Sequence, residues 1–230
     1  MSNKKKRSTR DEIIYTAAKL FLERGFSDAS AKALCEEMGI STGNLTYYFP
    51  TKEHLFRELV QELCRFQWKM FKRVTSEGKT PLMAACLELA AMAAICEENP
   101  VARDLYLSTY MHPLTLEVIR QEDKQRAQEV FADFCTDWSD ADFTEAELLV
   151  SGIEYATLMQ TPNAPPLEQR IRGAVNSIML IYGVPAELRK TKLDKVLCMD
   201  YRSLGRSIFR EFTDYLLRET GTPDPSHVQS

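Results

Sequence analysis

Apolar residues recur at three- and four-residue intervals along almost the whole chain, and no stretch shows the period-two alternation of a half-buried strand. Ile13, Ala17, Leu20 and Phe21 trace the first stripe. Thr9, with Glu12 three positions on, offers a capping box before it and Gly25 a stop behind it, which predicts a first helix over 9–24. Ser30 caps a second helix over 31–38 that Gly39 ends, and Ser41 caps a third, two-turn helix that Pro50 stops after Tyr48. Thr51 caps a longer fourth helix, in which Leu55, Leu59, Leu63 and Phe66 form the apolar face.

The punctuation stays helical downstream. Thr80 and Pro81 open a segment that fades at Asn99 and Pro100, the next runs to about Tyr110, and Pro113 begins a long one reaching toward Asp137. Thr144 and Glu147 suggest a second capping box, for a helix that ends before the "TPNAPP" loop. Another helix spans 167–182, stopped by Gly183 and Pro185, and one or two more fill 186–219. An all-α fold follows. The basic opening, residues 1–8, and the polar tail, 220–230, are expected to be disordered; residues 9–52 form a small head and 53–219 a helical body.

The third helix is shaped to read DNA. The major groove admits one helix, about 12 Å being its width, and a reader must show short polar side chains outward while its back is anchored. Leu45, Tyr48 and Phe49 share one face by spacing, leaving Thr42, Gly43, Asn44, Thr46 and Tyr47 around the outside. Asn44 can pair with adenine through two hydrogen bonds, Thr46 can offer a methyl or a hydroxyl, Tyr47 can reach a phosphate, and Gly43 lets the backbone come close. Ser41, at the helix start, Lys32 in the first turn of the second helix and Lys52 in the first turn of the fourth add phosphate contacts.

Charge supports this division. The net charge is -4, yet residues 1–52 carry nine Lys or Arg against six Asp or Glu, a balance of +3, which leaves -7 for the rest. Only the head is suited to a polyanion. Six cysteines lie without a CxxC pair, and the three histidines show no metal-ligand spacing, so neither a metal, a cofactor nor a catalytic centre is expected. The longest apolar stretch, Leu82–Cys96, is fifteen residues broken by Glu88 and reads as a buried helix, not a membrane span. A reduced, cytoplasmic protein is expected.

"GISTGNLTYYFPTKEHLF" resembles the helix-turn-helix signature of TetR-family regulators in Gly39, Ser41, Gly43, Leu45, Tyr48, Phe49, Lys52 and Glu53, and Phe21, Gly25 and Phe26 match the family's first two helices. Thr46 stands where the family commonly has Tyr, with Tyr47 beside it to share the role. The resemblance implies a three-helix DNA-binding domain joined by a long helix to a ligand-binding and dimerisation domain, and it assigns the Tyr48 hydroxyl to a phosphate although periodicity makes Tyr48 core. It also implies a cavity behind the head, for which Trp68, Phe71, Met92, Tyr106 and Tyr110 are candidate walls, with His112, Phe131, Tyr155 and Met159; the corresponding effector is a small apolar or aromatic molecule. The same residue types serve equally well as plain core.

Two late seams suit either the subunit's own core or a partner: Leu148, Gly152 and Ala156 on one helix, Ile171, Ala174, Ile178 and Ile181 on the next. The family dimerises through a four-helix bundle of such helices. The implied function is a homodimeric repressor released from a palindromic operator in double-stranded DNA by its effector. The alternatives are a regulator governed by a protein partner, an activator, or a helical carrier or enzyme that kept the head.

Overall fold

The computed structural model describes residues 8–221 and holds eleven α-helices, with no strand among the described residues. They are α1 Thr9–Asp28, α2 Ala31–Met38, α3 Thr42–Tyr48, α4 Lys52–Ser76, α5 Pro81–Glu98, α6 Pro100–Met111, α7 Pro113–Val130, α8 Asp140–Leu158, α9 Leu167–Ile181, α10 Ala186–Leu197 and α11 Tyr201–Gly221. The "KKKR" run and residues 222–230 lie outside the described part.

The first capping box sits one residue earlier than its sequence suggests. Ser8 has extended backbone and accepts from the Asp11 N–H at 3.2 Å, while the Asp11 carboxylate accepts from the Ser8 N–H at 3.3 Å. Thr9 is already helical, so it cannot act as the cap. Ser8 therefore belongs to α1 and not to the arm. The regular turns stop at Gly25, whose φ of 83° is left-handed, and the chain then carries Phe26 back into the core.

The same substitution of partners recurs at α8. Ser139 and Asp142 form the capping box, Thr144 lies in the second turn with its hydroxyl donating to the Asp140 carbonyl at 2.8 Å, and Glu147 points into the interior. Helix α7 ends at Val130, short of the predicted Asp137, because the following turns deliver Phe131 and Trp138 onto Tyr182, with ring centroids at 4.0 and 5.6 Å. At the far end Thr220 and Gly221 extend α11 instead of joining the tail. The buried Thr220 hydroxyl donates to the Leu216 carbonyl at 2.6 Å.

Helix α5 is apolar on every side, and such a helix is stable only when surrounded. It runs through the middle of the body, touching α4, α6, α7, α8, α9, α10 and α11. The crossing with α11 is close enough that a Cβ on Gly205 would collide with the Ala91 carbonyl. The head is built on Phe21, Phe26 and Phe56, whose centroids lie 4.3–5.7 Å apart, each buried ring contributing about 1.5–3 kcal/mol. Helix α1 also packs on α6 and α11, which fixes the head against the body.

Candidate DNA interface and effector cavity

Helix α3 carries a polar outer surface on a two-residue anchor. Leu45 and Phe49 are buried, while Thr42, Gly43, Asn44, Thr46 and Tyr47 are exposed, Tyr47 at 82%. Tyr48 is half-buried, neither core nor free, and its ring packs edge-on against Tyr47 at 5.0 Å. The Ser41 hydroxyl accepts from the Asn44 N–H at 3.2 Å and so serves first as the helix cap. Thr46 turns its hydroxyl back to the Gly43 carbonyl at 3.2 Å. The Asn44 side chain faces solvent beside it.

The two lysines part company. Lys32 is almost fully exposed, 3.7 Å from Glu36, and its ammonium is available to a phosphate. Lys52 is instead tied inside the head: its ammonium donates to the Phe26 carbonyl at 2.8 Å and lies 4.0 Å over the Phe26 ring. Burial lowers its pKa, opposed by the charge of Glu53. Through that bond Lys52 braces the head at a carbonyl just past the break at Gly25. Thr51 occupies the cap position of α4 without a side-chain cap bond; its hydroxyl meets His54 Nδ1 at 3.0 Å.

Behind the head, a cavity of about 890 Å³, counting its open mouth, lies between α4, α5, α6, α7, α8 and α9. Phe71, Met92, Tyr106, Tyr110 and Phe131 line it. Four other candidates do not. Trp68 turns away to donate to Glu122 at 3.2 Å, His112 packs on Phe26 at 5.0 Å between α6 and α7, and Tyr155 and Met159 sit half-buried near the exposed side of α8. An aromatic residue type says that a side chain wants burial, not which void it borders.

The cavity also has a charged wall that apolar stripes concealed. Glu88, Asp123, Glu147 and Glu154 line it together with Arg126. Arg126 donates to both Glu88 oxygens at 2.9 and 3.0 Å and also to Asp123. Glu147 accepts from the Tyr182 hydroxyl and Glu154 from the Tyr110 hydroxyl at 3.2 Å. Burial, reinforced by the Asp123 charge, pushes both Glu147 and Glu154 well above the usual carboxylate range.

Helices α4 and α6 each belong to both sites. Helix α4 starts in the head with Lys52 and reaches the cavity with Leu63, Gln67 and Phe71; α6 gives the cavity Tyr106, Thr109 and Tyr110. One turn earlier, Asp104 accepts from the Ser27 N–H at 2.9 Å and from its hydroxyl, tying the end of α1 to α6. Local spacing gives no sign of this link, since it joins positions 77 residues apart.

The two late seams separate as well. Leu148, Gly152 and Ala156 face outward on α8, whereas Ile171 and Ala174 are buried and Ile178 and Ile181 half-buried on α9. Ile178 lines the cavity. Ile171 and Ala174 therefore belong to the core of their own subunit, Ile178 and Ile181 lie at its edge, and the outward surface of that helix carries Arg172, Gly173 and Leu180.

Among known proteins, residues 13–59 match the family profile of bacterial regulatory proteins, tetR family. Over 75 residues the chain is 25% identical to the HTH-type transcriptional repressor KstR2 of Mycolicibacterium smegmatis, covering 33% of this chain and 37% of that protein. Over 52 residues it is 40% identical to the HTH-type transcriptional regulator UidR of Escherichia coli K12, covering 23% of this chain and 26% of that protein. The chain thus matches about a quarter to a third of the length of these relatives. The fold is similar to the crystal structure of RolR without ligand, with a TM-score of 0.59 and 15% identity over 81% of this chain and 96% of that chain. The reading helix, its caps and its glycine stops all lie inside the matched segment, so the head of this chain is similar to the DNA-binding segment of bacterial regulatory proteins of the tetR family.

Proposed function

We propose that the protein is a homodimeric transcriptional repressor that reads a palindromic operator with α3 and leaves it when a small molecule fills the cavity. The observation that carries this reading is the sharing of α4 and α6 between cavity and head. A ligand wedged against Phe71 and Tyr110 displaces helices that also hold Phe26 and Ser27. It changes operator affinity only by binding the two arrangements of the body unequally. The repressor sense follows the matched relative KstR2, named a transcriptional repressor.

The reader is Thr42, Gly43, Asn44, Thr46 and Tyr47, with Lys32 and the N–H groups at the helix starts seating phosphates. Residues 9–52 act as the DNA-binding domain and 53–219 as the sensing and dimerising body. Selection from a random duplex pool is expected to enrich an inverted repeat with half-sites one helical turn, about 34–36 Å, apart. Asn44→Ala is expected to weaken binding by about 1–3 kcal/mol and to relax preference at one base pair per half-site. A pool that returns no repeat would overturn the dimeric reader.

The dimer face is formed by the outward side of α8 and α9. Leu148, Leu149 and Leu180 are more than half exposed, and Gly152, Ala156 and Gly173 leave room between them for a partner helix. The double variant Leu149→Glu, Leu180→Glu is expected to run as a folded monomer in light scattering and to lose the operator. A variant that remained dimeric at micromolar concentration would move the interface elsewhere.

A further inference from the structure

The charged wall of the cavity points to a particular kind of ligand. Glu147 is 3% exposed; one carboxylate oxygen accepts from Tyr182, while the other, Oε2, has no hydrogen-bond partner among the described residues. An orphaned polar atom this deep calls for a ligand or an ion. Two helical turns further along α8, Glu154 borders the same cavity, held by a single hydroxyl from Tyr110. The nearby cations are already engaged. Arg126 is committed to Glu88 and Asp123, and Arg120 donates through Nε to Ser151 at 3.0 Å.

We propose that the cavity takes a ligand carrying a protonated amine on an aromatic or aliphatic body, seated by Glu147 and Glu154 and walled by Tyr110, Phe131 and Tyr182. The proposal rests on the cavity being the effector site and names the chemistry of its occupant. An ammonium supplies donors to Glu147 Oε2 and stands against ring faces that attract a cation. A purely apolar ligand leaves that oxygen unmet. An anionic one adds like charge to a wall where the carboxylates of Glu88 and Asp123 already outnumber the one guanidinium between them. The expectation of a small apolar or aromatic effector is kept for the body of the ligand and extended by a charged head group.

In the free protein, burial raises the pKa of both carboxyls and so favours their acid form. An arriving ammonium favours the carboxylate, so binding releases a proton to the buffer, whereas a neutral ligand releases none.

Tryptamine, tryptophol and indole propionate share one ring and differ in head group. Titrated calorimetrically into the full chain in two buffers of different ionisation enthalpy, tryptamine is expected to bind at least tenfold more tightly than the others and alone to release a proton. Glu147→Gln and Glu154→Gln, which keep side-chain shape, are each expected to weaken tryptamine about tenfold or more while leaving tryptophol unchanged and the thermal melt intact. Equal binding of the propionate, an unchanged affinity in both Gln variants, or no binding of tryptamine would overturn the proposal. Tryptophol that releases operator DNA while tryptamine fails to bind would remove the amine seat and leave the effector cavity standing. Tryptamine that binds with all the expected marks yet leaves the operator complex intact would confirm the seat and remove the regulatory reading.

Discussion

Arg126→Leu is expected to lower the free energy of unfolding by about 3–5 kcal/mol, roughly a 10 °C fall in Tm for a chain of this length. The Arg126 side chain is 14% exposed, and its partners Glu88 and Asp123 are 21% and 13% exposed. Leucine fills much of the volume but strands two carboxylates in the core, and an unpaired buried charge costs more than the pair it came from contributes. Equilibrium urea unfolding measures the loss. Acidification, which neutralises the stranded groups, should shrink the difference between variant and parent. A loss below about 1 kcal/mol at neutral pH, the size expected of an exposed pair, would mean that water reaches this wall freely and that the cavity is no low-dielectric site.

Gly205→Val should cost about 3 kcal/mol through a different route, the overpacking of a filled crossing. A Cβ there meets the Ala91 carbonyl and stands 3.4 Å from Ile95 Cβ, so α11 must lift from α5 before any larger side chain fits. Helix α5 cannot yield in return, because α4, α6, α7, α8, α9 and α10 hold its other sides. Valine also has the better helix propensity, which predicts a small gain if propensity were all that mattered. The sign of the change in Tm therefore decides between packing and propensity. A Gly205→Val protein as stable as its parent would place the α5–α11 crossing farther apart than described.

Local signals explain what the sequence revealed of the head. Ser30, Gly39, Ser41 and Pro50 act within one helical turn of themselves, and α2 and α3 begin and end where those residues dictate. The two displaced capping boxes show the limit of the same logic. Ser8 with Asp11 and Thr9 with Glu12 satisfy one spacing rule, as do Ser139 with Asp142 and Thr144 with Glu147; only the backbone dihedrals tell which residue precedes the helix.

Spacing offered Lys52 as a phosphate anchor, but its partner, the Phe26 carbonyl, lies 26 positions away and is invisible to spacing. The charged wall did leave a trace. Glu88 interrupts an otherwise apolar run, and Glu147 and Glu154 stand seven residues apart on the stripe that also holds the buried Val150 and Leu158. A carboxylate on a buried stripe signals a lined cavity better than an aromatic does, since burying it without purpose is costly.

The seven residues of α3 hang on Leu45 and Phe49, and their main neighbour is α2. Its amide protons should consequently exchange with solvent by a local opening far below the global unfolding free energy. On the proposed function, the reader free in solution is expected to be the loosest helix of the head and to be held still by bound DNA. Changes on its outer surface leave α5 and the cavity untouched, so substitutions there are expected to alter DNA binding without altering the stability of the body.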